Sequence, residues 1–190
     1  MKIYIRSFIL LGIFLSAGIV YGQDKGSCVT DMILSSYSSR NFNSVPLSED
    51  QINVVLRSGI KAPSARNSQP WKYTVVRDQA LAVKIVQDAL PGNAVIVVSG
   101  PEAVREGMNP DIDCSLTTAY MYIAAQSLGL AAHLYTSPVG NVNANLKGEL
   151  GITEGYRAII VLKIGNTDSY VDGISSASAR NELQEVVTYK

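Results

Sequence analysis

The sequence predicts a layered fold of the α/β or α+β class, in which helices cover a β-sheet. Amphipathic helical segments alternate with short apolar segments along the chain, and this alternation is typical of such layers. The run 94–99, Ala-Val-Ile-Val-Val-Ser, is rich in β-branched residues, so we expect a central strand with both faces buried. No predicted strand leads into a GxGxxG or GxxxxGK loop, which disfavours a dinucleotide-binding or nucleotide triphosphatase fold.

The first half of the chain reads as helix, helix, strand and helix. Residues 29–37 predict a short helix, and a second one starts at Ser48, because Ser48 and Gln51 form a capping box before apolar residues at helical spacing. Residues 71–77 alternate as a strand does, and residues 79–90 predict a helix that a Pro-Gly pair ends.

The second half begins with the longest predicted helix, 111–130. Asp111 and Asp113 fall in its first turn, where the helix dipole favours carboxylates, and its many small residues predict a buried central helix. The pattern then predicts a strand at 131–135, a helix at 142–150 and a strand at 157–164. The tail 166–190 is aperiodic until Arg180, but its last residues are apolar enough that we expect it to dock on a surface.

Residues 1–22 read as a cleavable secretory signal, with a basic start, a short apolar stretch and small residues before Gln23. The expected mature chain then has a flexible N-terminus at 23–28 and a single domain at 29–190, with a C-terminal docking arm at 166–190. It is expected to be periplasmic or extracellular and not membrane-bound after cleavage. A retained membrane anchor is the alternative.

Charge and cysteine content restrict the chemistry. The 16 basic residues balance the 16 acidic ones without a charged block, so nucleic acid is not an expected partner. Cys28 and Cys114 are the only cysteines, and the sequence leaves their pairing open. No metal-ligand spacing is present, and we expect no metal. His133, the only histidine, is interpreted as structural rather than catalytic. If the protein is an enzyme, a cofactor therefore carries the chemistry.

The segment Pro63–Trp71, Pro-Ser-Ala-Arg-Asn-Ser-Gln-Pro-Trp, lies between a predicted helix and a predicted strand. Its two prolines restrict the backbone, so we expect an extended loop with free N–H groups that holds a ligand. The alternative is an ordinary surface connection rich in turn-forming residues.

This segment resembles the flavin loop of the nitroreductase family, and further segments resemble the family in the same order along the chain. Residues 36–42 occupy the position of an Arg-Arg-Ser-x-Arg type segment of the family, and residues 113–130 resemble its central helix. Residues 151–165 resemble its last core strand together with the residues that precede it. Residues 180–187 resemble its C-terminal Arg-x-x-Leu-x-Glu-Val-Val segment. The resemblance implies an α+β fold, a three-layer α/β sandwich with a central mixed sheet. It also implies an entwined homodimer that holds each FMN between two subunits.

The resemblance further implies a role for individual residues. Arg180 would contact the FMN phosphate, Ser38 the phosphate or ribityl chain, and Arg40 the pyrimidine edge of the flavin, where a cation favours the anionic reduced form. Arg66 would point toward the substrate opening. The residues with expected contacts to FMN are Ser38, Arg40, Pro63, Ser64, Ala65, Asn67, Gln69, Tyr135, Thr136 and Arg180. Leu134 and Ser137 align with the same loop beneath the isoalloxazine.

The function implied is that of an exported FMN-dependent oxidoreductase of the NAD(P)H nitroreductase type. A reduced donor would pass hydride to flavin N5 and leave before a small organic acceptor, such as a nitroaromatic or a quinone, enters the same pocket. Ser36 and Tyr37 stand where many members carry basic residues, so phosphate binding would depend on Arg180 together with Lys61 or a group of the partner chain. The alternatives are a flavin-binding protein with little or no turnover, and a specialised FMN enzyme such as a reductive dehalogenase.

Overall fold

The computed structural model describes residues 25–168 and 180–190. The expected signal at 1–22 and the tail segment 169–179 lie outside the described residues. The helices and strands, in chain order, are α1 (Lys25–Leu34), α2 (Glu49–Ile60), β1 (Lys72–Val76), α3 (Gln79–Ile85), β2 (Ala94–Pro101), α4 (Pro110–Ser127), β3 (Ala131–Tyr135), α5 (Val139–Asn141), β4 (Tyr156–Gly165) and α6 (Leu183–Val186). A 3₁₀ turn spans Ala65–Asn67, and a π-helical turn at Val142–Leu146 continues α5.

The strands lie close to their predicted positions, and the helix ends differ more. Helix α1 begins at Lys25 and ends at Leu34, so residues 25–28, which we predicted to be flexible, are helical. Helix α3 ends at Ile85 instead of residue 90, because Val86 turns to an extended conformation and is buried. The predicted helix 142–150 is a π-helical turn followed by hydrogen-bonded turns.

The sheet has the order β1-β2-β4-β3, which places β2 and β4 in the centre. Residues 94–100 of β2 are all buried, as the uninterrupted β-branched run predicts. All three strand pairs of the described chain are antiparallel, so the expected parallel component of a mixed sheet is not found among these residues. Strand β3 pairs only with β4 here and forms an edge, with His133 opposite Lys163.

The expected three layers are present, with helices on both faces of the sheet. Alternate residues of β2 point to opposite faces. Ile96 and Val98 belong to a core cluster with residues of α2 and α4, whereas Val95 and Val97 belong to a second cluster with residues of α3 and of the turn after α5. The described chain therefore has the α+β fold expected from its sequence.

Helices α2 and α4 pack very closely where α2 ends. A Cβ atom on Gly59 would lie 2.6 Å from Met121 Cγ, and Thr117 Oγ1 donates a hydrogen bond of 2.7 Å to the carbonyl of Gly59. Glycine fits this approach best, because a Cβ atom would force the side chains of Met121 and Thr117, or the helices themselves, to move. The contact brings the loop that follows α2 to the start of α4.

The C-terminal arm does not bury its apolar residues within one subunit. Leu183 and Val186 of α6 are 61% and 62% exposed, so the expected docking surface is not provided by the described residues of the same chain. Helix α4 also presents an apolar row at Ile112, Leu116 and Tyr120, of which Ile112 is 58% exposed. We expected a buried helix, but one side of α4 is open in the single subunit.

Candidate functional site

The loop Pro63–Trp71 is folded into a tight turn rather than extended. Three of its residues, Arg66, Asn67 and Gln69, have positive φ angles of 53°, 55° and 46°. L-residues other than asparagine and aspartate rarely adopt this region, so Arg66 and Gln69 store backbone strain. The expected extended backbone is therefore not found. Most of the backbone N–H groups that we expected to be free are also bonded, either within the loop or to α4.

The donors of the loop have specific acceptors. Asn67 and Ser68 donate from their backbone to the carbonyls of Ser64 and Ala65, while Gln69 N donates to Ser64 Oγ at 3.0 Å. The Gln69 side chain donates to Asn67 Oδ1 at 3.3 Å. Ser64, Asn67 and Gln69 thus form one hydrogen-bonded unit, and Pro63 and Arg66 are exposed beside it.

Asp113 holds this loop against the start of α4. Its Oδ1 accepts a hydrogen bond of 3.1 Å from Ala65 N, and the residue is only 4% exposed. Its Oδ2 has no hydrogen-bond partner among the described residues. The sequence placed Asp113 in the first turn of α4, and the structure adds that its carboxylate fixes the predicted flavin loop.

A second group of predicted site residues lies at the other end of α4. Gln126 there forms two hydrogen bonds with the backbone of Tyr37, one from Tyr37 N to Oε1 and one from Nε2 to Tyr37 O, both 2.9 Å. This amide clamp fixes the segment that follows α1. Ser38 and Arg40, the next predicted residues along the chain, are exposed.

His133 bonds to both of these residues. Its Nδ1 lies 2.8 Å from Ser38 Oγ and 3.3 Å from Ser38 O, and its Nε2 accepts from Arg40 Nε at 3.2 Å. Desolvation lowers the pKa of His133 from 6.5, and the positive charges of Arg40 and Lys163 lower it further, against the opposing effects of the hydrogen bond to Ser38 and the charge of Asp88.

An ion pair between a buried lysine and an exposed aspartate lies beside His133 on the same face of the sheet. Lys163 has no exposed surface; its Nζ is 2.8 Å from Asp88 Oδ1 and 4.0 Å from the centroid of the Phe42 ring. Burial lowers the pKa of Lys163, although Asp88 opposes this. Burial alone would raise the pKa of Asp88, but the bond and charge of Lys163 outweigh it, and the net pKa is lowered.

Tyr135, a predicted flavin contact, joins this group. Its hydroxyl donates to Asp88 Oδ1 at 3.2 Å, and its ring meets that of His133 edge-on, with centroids 4.6 Å apart. Burial, followed by the charge of Asp88, raises the pKa of Tyr135, so the phenol stays protonated. Thr136 is exposed in the turn that follows β3, and its carbonyl accepts from Val139 N at 3.1 Å.

Arg180 and Ser38 both act on Tyr122 of α4. Burial raises the pKa of Tyr122, and this rise is opposed by hydrogen bonds with Gln126 and Ser38 and by the positive charge of Arg180. Tyr122 therefore has Ser38 and Arg180 as neighbours, although they are far apart in sequence. Ser38, Arg40, Tyr135, Arg180 and His133 will be called the edge group.

The structure separates the edge group from the loop group, Pro63–Trp71. The loop contacts α4 at Asp113 and the segment of Ser38 contacts it at Gln126, about 20 Å apart along a helix that rises about 1.5 Å per residue. An open cleft of about 600 Å³ borders Arg40 and Tyr135, and separate cavities of about 460 and 320 Å³ border Ala65 and Ser68. Lys61 is the C-cap residue of α2, two positions before Pro63.

His133 and Lys163 are the site residues that sequence reasoning missed. A period of two on β3 places His133 on the same face as Tyr135, and this was a usable signal. Lys163 is the only charged residue inside an otherwise apolar segment of β4, which signals a satisfied buried charge. Neither signal reveals the bonds to Ser38 and Arg40, because those come from a distant part of the chain.

Both cysteines are free thiols, so the open question of their pairing is answered for this structure. Cys28 is exposed on α1, and Cys114 is fully buried in α4, where its Sγ lies 3.7 Å from Ser99 O. Burial, followed by the charges of Asp111 and Asp113, raises the pKa of Cys114 to about 12. Helices long and apolar enough to cross a bilayer are absent from residues 25–168 and 180–190.

Comparison with known proteins agrees with the fold and with the motif. The model of the Nitroreductase family matches residues 33–106. A relative from Archaeoglobus fulgidus, whose name proposes NADH dehydrogenase or NAD(P)H nitroreductase activity, is 29% identical over 143 residues, which cover 70% of this chain and 82% of the relative. An NADPH-flavin oxidoreductase from Vibrio harveyi is 24% identical over 159 residues, which cover 73% of this chain and 65% of that protein.

Solved structures extend the agreement to most of the chain. A nitroreductase with bound FMN from Desulfitobacterium hafniense superimposes with a TM-score of 0.70 at 20% identity, covering 85% of this chain and 97% of that one. A nitroreductase family protein from Clostridium difficile gives a TM-score of 0.69 at 22% identity, covering 84% of this chain and 96% of that one. The chain has the nitroreductase fold, and its resemblance to the nitroreductase family is confirmed.

Proposed function

We propose that this chain of nitroreductase fold is an FMN-dependent oxidoreductase that uses NAD(P)H or another reduced donor. The observation that carries the proposal is that Ser38 and Arg40 both bond to His133, while the charge of Arg180 acts on Tyr122, which also bonds to Ser38. Each of the three was assigned to FMN from its position in a motif alone. Arg180 belongs to the C-terminal motif, whereas Ser38 and Arg40 belong to the segment 36–42, so sequence proximity does not explain why Arg180 acts on a residue that bonds to Ser38.

The residues present fit the chemistry of FMN. Its phosphate carries about two negative charges, and two exposed guanidiniums in the edge group offer charge-assisted donors for it and for the flavin edge. Arg180 would hold the phosphate, Ser38 the phosphate or ribityl chain, and Arg40 the pyrimidine edge. Ser64, Asn67 and Gln69 of the loop group would contact the flavin ring.

When bound, FMN supplies the redox chemistry, taking a hydride from a donor and giving it to an acceptor such as a nitroaromatic or a quinone in a later step. The protein supplies placement and charge. Tyr135 is kept protonated by burial and by Asp88, so its ring and hydroxyl act as a neutral wall of the cleft. With FMN bound, Arg40 would place a positive charge at the pyrimidine edge, which favours the reduced cofactor electrostatically.

The proposed active form is a homodimer. The edge group and the loop group lie at opposite ends of α4, and a second copy would allow the edge group of one subunit to meet the loop group of the other. Exposed apolar residues support such an interface: Leu183 and Val186 on α6, and Ile112, Leu116 and Tyr120 on α4. Ile112, Leu116 and Tyr120 recur at every fourth residue, so they form one apolar stripe along α4 that is suited to an interface.

We further propose that the protein is exported, on the basis of the signal-like residues 1–22. Export would separate it from the nicotinamide pool of the cytoplasm, so its donor outside the cell need not be NAD(P)H. Mass spectrometry of the secreted chain tests this proposal, with Gln23 expected as the first residue. A full-length chain in the cytoplasm would overturn it.

The decisive experiment is reconstitution of the purified protein with FMN. A yellow protein with a flavin absorption spectrum is expected, and a chain that stays colourless at every FMN concentration would refute the proposal. We predict that Arg180→Ala weakens FMN binding by about 1.5–3 kcal/mol, because it removes a hydrogen bond to a charged group. Arg77→Ala is the matched control, since Arg77 pairs with Glu49 on another part of the surface and should leave FMN affinity unchanged.

Anaerobic reduction then separates an enzyme from a flavin carrier. The replacement of basic residues by Ser36 and Tyr37 favours the alternative of a flavin-binding protein with little turnover. If NADH or NADPH reduces bound FMN and a quinone reoxidises it, both faster than in the same reactions of free FMN, the protein is an oxidoreductase. Bound FMN that neither a nicotinamide nor an artificial donor reduces would support the carrier.

A further inference from the structure

His133 is bonded through both ring nitrogens to predicted cofactor residues. Arg40 Nε carries a hydrogen and has no lone pair to offer, so His133 Nε2 must be the acceptor in the 3.2 Å contact between them. In a neutral imidazole the proton then lies on Nδ1, which donates to Ser38 at 2.8 Å from Oγ. One neutral tautomer satisfies both contacts, and a protonated imidazole would lose the acceptor that Arg40 uses.

We propose that His133 is a positioning residue for the flavin site, which as the neutral Nδ1–H tautomer holds Ser38 and Arg40 in one fixed arrangement. This inference rests on the proposed function, because it assigns to His133 the placement of two groups that would bind FMN. It replaces our interpretation of His133 as a structural histidine. His133 itself need not touch the cofactor.

The location of His133 distinguishes this role from that of an ordinary core residue. It lies on β3 at the edge of the described sheet and is half-buried, whereas Ala131 and Ala132 before it are buried. Its hydrogen bonds run out of the sheet to the exposed segment after α1. Truncating it would leave the sheet pairing of β3 intact, since that pairing uses the backbone, and would release Ser38 and Arg40.

The charges around His133 favour its neutral form. Arg40 faces it from the segment after α1, and Lys163 faces it from β4, while Asp88 after α3 offsets part of their charge and Tyr135 on β3 is neutral. Protonation of His133 would place a third positive charge beside those of Arg40 and Lys163. The pKa is accordingly lowered, with desolvation as the first cause.

Nuclear magnetic resonance of the FMN-free protein tests the arrangement directly, because His133 is the only histidine. Two-bond nitrogen–hydrogen correlation spectra should show the Nδ1–H tautomer and a pKa below 6.5. Arg40→Gln should raise that pKa, since it removes a cation beside the ring. Arg77→Gln is the matched control and should not change it. An Nε2–H tautomer, or a pKa insensitive to Arg40→Gln, would overturn the proposal.

FMN affinity across pH provides the functional readout. His133→Gln can keep an acceptor near Arg40, whereas His133→Asn can keep only a donor near Ser38. We expect His133→Asn and His133→Ala to raise the Kd for FMN by about 3- to 10-fold at pH 7.5 and His133→Gln to raise it less.

The wild type should lose affinity for FMN as pH falls through the pKa of His133. The FMN phosphate also titrates in this range, so the change in Kd with pH is compared between the wild type and His133→Gln. In His133→Gln only the phosphate contributes to that change, and the additional change in the wild type reports the protonation of His133.

The possible outcomes separate the two proposals. If the wild type does not bind FMN, the proposed function fails, and the positioning role fails with it. If the wild type binds FMN but His133→Asn and His133→Ala bind it equally well with the same pH profile, only the positioning role is refuted. Circular dichroism confirms that each variant folds, and should one fail to fold, Arg40→Gln in the spectroscopic experiment still decides the arrangement.

Discussion

Arg66, Asn67 and Gln69 show how single residues give the loop group its shape. Their positive φ angles are held by bonds from Ala65 to Asp113 and from Gln69 to Ser64. Strain of this kind persists only where the surroundings overdetermine it. The motif revealed the location of the loop from the sequence, but its conformation depends on Asp113, which is supplied by α4.

We predict that Arg66→Val lowers the free energy of unfolding by about 1–2 kcal/mol, because a β-branched residue tolerates a left-handed conformation poorly. Arg66→Gly should change it little, since the relief of strain is offset by about 0.5–1 kcal/mol of added entropy in the unfolded chain. Urea denaturation measures both. The side chain of Arg66 is exposed, so equal effects of the two substitutions would show that the backbone angle is not the cause.

The two cysteines allow a second test at the scale of the residue. Cys114 is fully buried and has a pKa raised to about 12, so at pH 8 it should not react with a thiol reagent such as Ellman's reagent. Cys28 is exposed and should react at once. We expect one reactive thiol in the folded protein and two in denaturant. Two rapidly reacting thiols in the folded protein would contradict the burial of Cys114. The absence of reactive thiols in denaturant without reductant would contradict the free state of both cysteines.

Helix α4 is the element that relates the two groups of the site. Asp113 near its start fixes the loop group, and Gln126 near its end fixes the segment that carries Ser38 and Arg40. The sequence predicted α4 and the four strands well, because long periodic segments and continuous apolar runs are set by local pattern. Helices α1 and α3 were predicted less well, since their ends depend on tertiary contacts such as the burial of Val86.

The amide clamp of Gln126 can be tested by substitution. Gln126→Leu leaves Tyr37 N and Tyr37 O without their partner in a half-buried place, and we expect the free energy of unfolding to fall by about 1–3 kcal/mol. FMN affinity should fall as well, because Ser38 and Arg40 lose their support. Gln126→Glu keeps an acceptor for Tyr37 N and should have a smaller effect. Unchanged FMN affinity in Gln126→Leu would show that the clamp does not serve the site.

At the scale of the whole molecule, the single subunit holds two separate groups of candidate site residues. Sequence motifs identified residues of both groups but could not show that about 20 Å of helix separates them, because a motif carries no information on distance. The same holds for the apolar residues of α4 and α6, which a sequence pattern assigns to a core although one subunit leaves them exposed. Both observations are explained together if two copies complete each site.

Mixing two variants that each bind FMN weakly tests this explanation. Arg40→Ala damages the edge group and Asn67→Ala damages the loop group, so a homodimer of either variant has two defective sites. If each site combines the edge group of one subunit with the loop group of the other, a mixed dimer has one intact site and one site with both defects. Mixed dimers, isolated with two different affinity tags, should therefore bind one FMN per dimer with wild-type affinity. Mixing Arg77→Ala with wild type is the control and should give two sites per dimer. If mixed dimers show only the affinity of the variants, each site lies within one subunit and the dimeric arrangement proposed here is wrong.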